Sequence, residues 1–236
     1  MRTASLVRAE LLLFWRNRLA MVNALVPPVA IIGLAAGAGL GAVPLVTGLL
    51  GLVQLSTVYY ALVTTYVARR EELVLKRLRV GVLTDLEILA GTAGPAVAVA
   101  LAQIVLYLAA GAVFLGLPAP VDVPLLALGV LGGIVVFVPL AAASAAYTRT
   151  VDLAQLTTLP IVMACLLGSG LMVPLDALPG PVAGALRLLP MAPAVELMRL
   201  GWRGGSAGLA PVLTLAVWTV VGALAARRWF RWEPRH

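Results

Sequence analysis

The chain carries few groups able to do covalent chemistry. Ser169 stands between Gly168 and Gly170, a setting that suggests a nucleophile, yet a serine needs a base to take its proton and the single His is His236. A serine hydrolase is therefore excluded. The single Lys, Lys76, lies in Leu75-Lys76-Arg77 and not behind a glycine-rich run with Ser or Thr after it, so the chain has no loop of the kind that cradles nucleotide phosphates. One Cys, Cys165, excludes an intramolecular disulfide. Asp122, Asp152 and Asp176 could serve a proton-coupled carrier only from membrane depth, and all three fall at the ends of apolar runs. No run of residues stands out as an ion-selective filter. Any energy source must lie on another chain.

What remains is a set of uncharged polar residues inside apolar segments: Gln54, Thr57, Tyr60, Thr64 and Thr65 in one, and Thr157, Thr158 and Ser169 in another. At helical spacing the first set gathers near one face around Ala61, with Tyr60 at its edge. Such a face either lines a mildly polar path for an amphiphilic molecule or hydrogen-bonds a neighbouring helix.

The elements that position these residues follow from composition. Of 236 residues 62% are hydrophobic and 11% charged, and the mean hydropathy is +1.04. A soluble domain carries about 25% charged residues and a membrane-spanning helix needs about 20 apolar ones, so the chain reads as an all-α integral membrane protein. We expect a single transmembrane domain over 1–236 with six spans, at 19–42, 45–68, 88–117, 123–147, 153–173 and 209–226. A segment at 1–18 with Trp15, Arg16 and Arg18 suits the interface, a charged loop fills 69–87, a Pro- and Gly-rich loop fills 174–206, and a basic tail fills 227–236. Of the 17 basic residues, 14 fall on the side of the termini and the 69–87 loop, which places both termini in the cytoplasm. The formal charge of +7 thus marks one membrane face and gives no reason to expect nucleic acid.

Within the charged loop, Arg69 to Gly81 reads as a short helix with Glu72 and Lys76 as an i,i+4 pair and Gly81 as its terminator. Thr84-Asp85-Leu86-Glu87 then reads as a capping box that starts the third span, with Leu83 and Ile88 as its staple. Alone, the loop would be a solvated basic face. In the stretch Glu71-Glu72 through Leu75-Lys76-Arg77-Leu78-Arg79, followed by Leu86-Glu87-Ile88-Leu89-Ala90-Gly91, the sequence resembles the ABC type-2 permeases, the membrane subunits of daunorubicin-resistance-like and multidrug or polysaccharide exporters. A second resemblance lies in Val173-Pro174-Leu175-Asp176-Ala177-Leu178-Pro179 and Leu188-Leu189-Pro190-Met191-Ala192-Pro193-Ala194-Val195-Glu196-Leu197-Met198-Arg199.

The resemblance implies a permease of a bacterial cytoplasmic membrane, exporting an amphiphilic drug, lipid or glycan by alternating access. It implies two nucleotide-binding ATPase subunits as partners, which hold ATP and Mg, a second permease chain in a homodimer or heterodimer, and no cofactor on this chain. It implies a coupling helix formed by Glu71, Glu72, Leu75, Lys76, Arg77 and Arg79, with Gly81 and Thr84 setting its corner. It implies a substrate path along Gln54, Thr57, Tyr60, Thr64, Thr157, Thr158 and Ser169, and an outer gate of short re-entrant helices with Asp176, Leu178, Glu196 and Arg199. An ATPase-independent channel or carrier, and a membrane assembly factor, are the alternatives. Two further features concern packing: Gly33, Gly37 and Gly41 form a small-residue stripe on the first span, and Pro139 and Pro160 inside spans four and five are either hinges or static bends.

Overall fold

The computed structural model describes residues 32–33, 41–73, 84–170 and 175–230, the side chain of Asp176 excepted. The 1–18 segment, most of the 19–42 span and positions 74–83 of the charged loop lie outside the described residues. Among those described, all regular structure is helical. Helix α1 runs Ala42–Glu71, α2 Asp85–Leu115, α3 Val123–Tyr147 and α4 Ala154–Gly168. Two short helices follow, α5 Gly180–Arg187 and α6 Ala192–Arg203, and then α7 Ala210–Trp229.

Helices α1, α2, α3 and α7 are long and apolar enough to cross a membrane. Helix α4 has 15 residues, about 22 Å at 1.5 Å per residue, which falls short of a hydrocarbon core of about 30 Å. Where continuous apolarity suggests a span to 173, the helix stops at Gly168 and the chain turns through Gly170 at φ +66°.

Local chemistry sets most helix ends. Thr84 and Glu87 form the capping box: Thr84 N–H donates to Glu87 Oε2 at 2.8 Å, and Glu87 N–H donates to Thr84 Oγ1 at 3.3 Å. Helix α2 ends at Gly116 in the left-handed region, φ +60°, a conformation glycine adopts without a Cβ penalty. Asp122 Oδ1 accepts the Leu125 N–H at 3.0 Å and starts α3, with Pro124 in the first turn.

Helix α3 is the centre of the bundle, packed against α1, α6 and α7. Its glycines admit the neighbours. A Cβ at Gly129 would lie 2.7 Å from the Ala194 carbonyl oxygen of α6, one at Gly132 would lie 2.8 Å from Leu215 of α7, and one at Gly133 would collide with the Gln54 carboxamide of α1. On α7, Gly222 lies against the backbone of Pro139 and Leu140, where a Cβ would meet Leu140 N at 3.1 Å. The Gly33 and Gly41 positions differ: a Cβ at Gly33 would meet nothing within 4 Å and one at Gly41 only Pro44, among the described residues. Gly37 lies outside them.

Contacts along the bundle define two ends. At one, Tyr66 Oη donates to the Leu89 carbonyl at 2.9 Å, and rings pair as Tyr66–Phe230 and Tyr147–Trp229. We call this the basic end, because Arg69, Arg70, Arg149, Arg227 and Arg228 lie there. At the other, Asp122 N–H donates to the Gly201 carbonyl at 2.9 Å and Trp202 Nε1–H to the Pro118 carbonyl at 3.0 Å. This is the hairpin end, formed by α5 and α6.

Candidate functional site

The polar residues of α1 do not share one arc, because seven residues, Gln54–Tyr60, are wound as a π-helix. The wider i→i+5 turn resets the faces that a 3.6-residue period would produce, and such insertions recur at functional sites. Gln54 is fully buried and reaches α3, where its Nε2 donates to the carbonyls of Val130 at 3.1 Å and Gly129 at 3.4 Å. Its Oε1 has no hydrogen-bond partner among the described residues. Thr57 turns instead to α2, donating to Gln103 Oε1 at 2.7 Å. Tyr59, beside them and also buried, exchanges a hydrogen bond with Ser144 of α3 at 2.9 Å.

Beyond the π-segment, Thr64 and Thr65 donate to their own Ala61 carbonyl. Thr158 and Ser169 are buried and bond within α4, to Ala154 and Leu166. Thr157 is exposed and bonds Thr148 at 2.8 Å. Tyr60 and Thr64 are half-buried. Of the expected path residues, Gln54, Thr158 and Ser169 are buried, Thr57, Tyr60 and Thr64 are half-buried on α1, and Thr157 is exposed on α4.

At the basic end, the residues expected to begin a separate loop helix belong to α1. Arg69, Arg70 and Glu71 form its last turn, and Leu73 at φ +59° ends it. Leu75, Lys76, Arg77, Arg79 and Gly81 lie outside the described residues. Glu72 is exposed and pairs with Arg69 at 3.8 Å. Arg70, in the sequence one cation of a charged loop, is 1% exposed. Its guanidinium crosses to the end of α3 and donates to the carbonyls of Ala145 at 2.9 Å, Thr148, and Arg149 at 3.2 Å. Ala145 lies in the last turn of α3, whose carbonyls lack partners within the helix, Thr148 and Arg149 follow it, and the guanidinium meets the negative end of the α3 dipole. Arg70 therefore ties the root of the charged loop to the α3–α4 junction.

At the hairpin end, α5 descends and α6 returns. Met191 and Val195 press on Gly51 of α1, while a Cβ at Gly201 would meet Leu126 N at 2.9 Å near the start of α3. The tip between the helices therefore lies deep in the bundle, beside Gly168, where a Cβ would meet the Leu186 carbonyl at 2.8 Å. Its exposed Leu188 carbonyl accepts Trp218 Nε1–H of α7 at 2.7 Å, which satisfies a backbone group that lipid could not. A cavity of about 280 Å³ opens beside the hairpin, lined by Val43, Pro44, Gly170, Leu175, Leu200 and the charged Arg187, Glu196, Arg199 and Arg203. Arg199 donates to the Gly170 carbonyl at 3.3 Å. Of the other residues expected at a gate, Leu178 is half-buried on the turn after Leu175–Ala177, and the Asp176 side chain lies outside the described residues.

No group of three or more metal-ligating side chains gathers among the described residues. Comparison with known families gives one assignment: the model of the ABC-2 type transporter matches residues 1–201. No curated protein matches the chain.

Proposed function

The chain belongs to the ABC-2 type transporter family, and from that premise we propose that it is the permease subunit of an ATP-binding-cassette exporter in a bacterial cytoplasmic membrane. Two copies, or this chain and a similar one, pair with two nucleotide-binding subunits that hold ATP and Mg. The basic end faces the cytoplasm, in keeping with the excess of Arg there.

The observation that supports this reading best is the Arg70 clamp. A loop that only faced solvent would have no need of a buried arginine at its root. With the clamp, a force on Glu71, Glu72 and the following Leu75, Lys76, Arg77 and Arg79 is delivered to α1 and to the α3–α4 junction at once. Gly81 and Thr84 set the corner from which α2 starts. Tyr60, Thr64 and Thr157 line the path where two permease chains meet, and Gln54, Thr57, Thr158 and Ser169 hold the helices that carry it. The α5–α6 hairpin, with Asp176, Leu178, Glu196 and Arg199, closes the outer side.

The test is co-purification followed by transport. A P-loop ATPase should come down with the chain, and vesicles containing both should export an amphiphile only when ATP is supplied. Reversing the charge at Glu72, or replacing Gly81 with Pro, should uncouple ATP hydrolysis from export while leaving membrane insertion intact. Normal export by both variants would remove the loop from the coupling role, and transport without any ATPase would favour a channel or carrier.

A further inference from the structure

The cavity beside the α5–α6 hairpin collects three guanidiniums, from Arg187, Arg199 and Arg203, against a single carboxylate, Glu196, among the described residues. The helix places them there deliberately in register: Glu196, Arg199 and Arg203 stand at i, i+3 and i+7 on α6, while Val195, Met198 and Trp202, at the same spacing one position earlier, are buried in the bundle. Arg187 reaches the same cavity from the end of α5. A cation in the last turn of a helix is often explained by the helix dipole alone, which accounts for Arg187 and Arg203 singly. It does not account for their convergence, with Arg199 a turn further in, on one concave space.

We propose that this cavity binds an oxyanion of phosphate chemistry. The guanidinium fork matches two oxygens of a tetrahedral anion, and convergent forks discriminate phosphate from a neutral hydroxyl. Low-dielectric walls concentrate the field of the three cations inside the cavity. Its volume of about 280 Å³ admits a head group and not a whole drug-sized molecule. Val43, Leu175 and Leu200 supply aliphatic wall beside the charges, which suits the first carbons of a chain attached to the anion. If the cavity stands in the export path, a consequence that rests on the permease reading above, the exported molecule carries such a group.

The full chain in nanodiscs of zwitterionic phosphatidylcholine, titrated calorimetrically with hexyl phosphate, inorganic phosphate and hexanol, tests the site directly. Hexyl phosphate should bind saturably and hexanol should not. Tighter binding of hexyl phosphate than of inorganic phosphate identifies an amphiphile head group as the source, and equal binding identifies a free oxyanion; both support the site. The double variant R187Q/R203Q changes two exposed side chains and should weaken binding about tenfold or more, since each lost guanidinium removes a charge-assisted contact. E196Q removes the opposing carboxylate and should tighten binding severalfold. Absence of saturable binding, or unchanged affinity in both variants, would overturn the proposal. Binding without ATP-driven transport would leave the site standing and count against the exporter; transport without binding would do the reverse.

Discussion

Replacing Arg70 with Met tests whether the charged loop is anchored to the bundle. The wild-type guanidinium, 1% exposed, donates to three carbonyls at the end of α3 and in the turn after it. Hydrogen bonds from a charged donor contribute about 1.5–3 kcal/mol each, and a carbonyl left buried without a partner costs about 1–3 kcal/mol. Against this, removing the cation removes its own desolvation cost of several kcal/mol. The balance is a loss of about 3 kcal/mol, with Arg70→Lys losing about half of that, because an ammonium cannot fork across three acceptors. Arg69→Met is the control: Arg69 is 28% exposed, its partner Glu72 is 60% exposed, and the pair stands at 3.8 Å. A largely solvated pair of that kind contributes about 0.2–1 kcal/mol. Reversible unfolding in mixed micelles, followed by tryptophan fluorescence, measures all three variants. A loss for Arg70→Met no larger than that for Arg69→Met would refute the clamp, whatever the crossing geometry.

Four further substitutions test the packing, the caps and the hairpin tip. Gly133→Ala drives a methyl into the Gln54 carboxamide and should cost about 1–3 kcal/mol by overpacking; Gly184→Ala, inside α5 with open space around it, should be neutral or stabilising by about 0.5–1 kcal/mol in the same unfolding assay. Trp218→Phe removes the donor to the Leu188 carbonyl and should cost about 1–2 kcal/mol in a bilayer, seen as faster amide exchange confined to the hairpin tip. Thr84→Ala breaks the capping box and should cost about 1 kcal/mol, with exchange rising over the first turn of α2 and nowhere else.

Local signals carried well into the structure and long-range ones did not. The start of α2 is written in Thr84 and Glu87 because a capping box needs only residues three apart, and the stop of α2 at Gly116 likewise needs only one glycine. The family is legible for the same reason, since its features lie in loop content and span order. The π-segment is different. Nothing in Gln54–Tyr60 announces a wider turn, and without it the polar residues of α1 fall on one face, when in the structure Gln54 turns to α3 and Thr57 to α2. Arg70 shares its neighbours' appearance as a cation at the end of an apolar run. What buries it is a set of carbonyls about 75 positions later in the chain, and no window around residue 70 contains them. The glycines teach a related point. Spacing by four marks Gly33, Gly37 and Gly41, and the same spacing joins Gly129 to Gly133, where α6 and α1 press on α3. The pattern identifies a notch, and the partner that fills it lies far away in the chain.

Helix α3 joins the two ends of the bundle. At the basic end its terminal carbonyls are held by Arg70 of α1, and at the hairpin end its first turns are pressed by α6 at Gly129 and by Gly201 at Leu126. Between them Pro139 removes one backbone donor, and Gly222 of α7 packs on the Pro139 and Leu140 backbone there. Close-packed interiors are little compressible and transmit strain, so these contacts tie α3 to its neighbours at both ends. The same α6 that presses on Gly129 carries Glu196, Arg199 and Arg203 into the arginine-lined cavity. The residue at the root of the charged loop and a helix that walls the cavity are thus both packed on α3, one at each end of it.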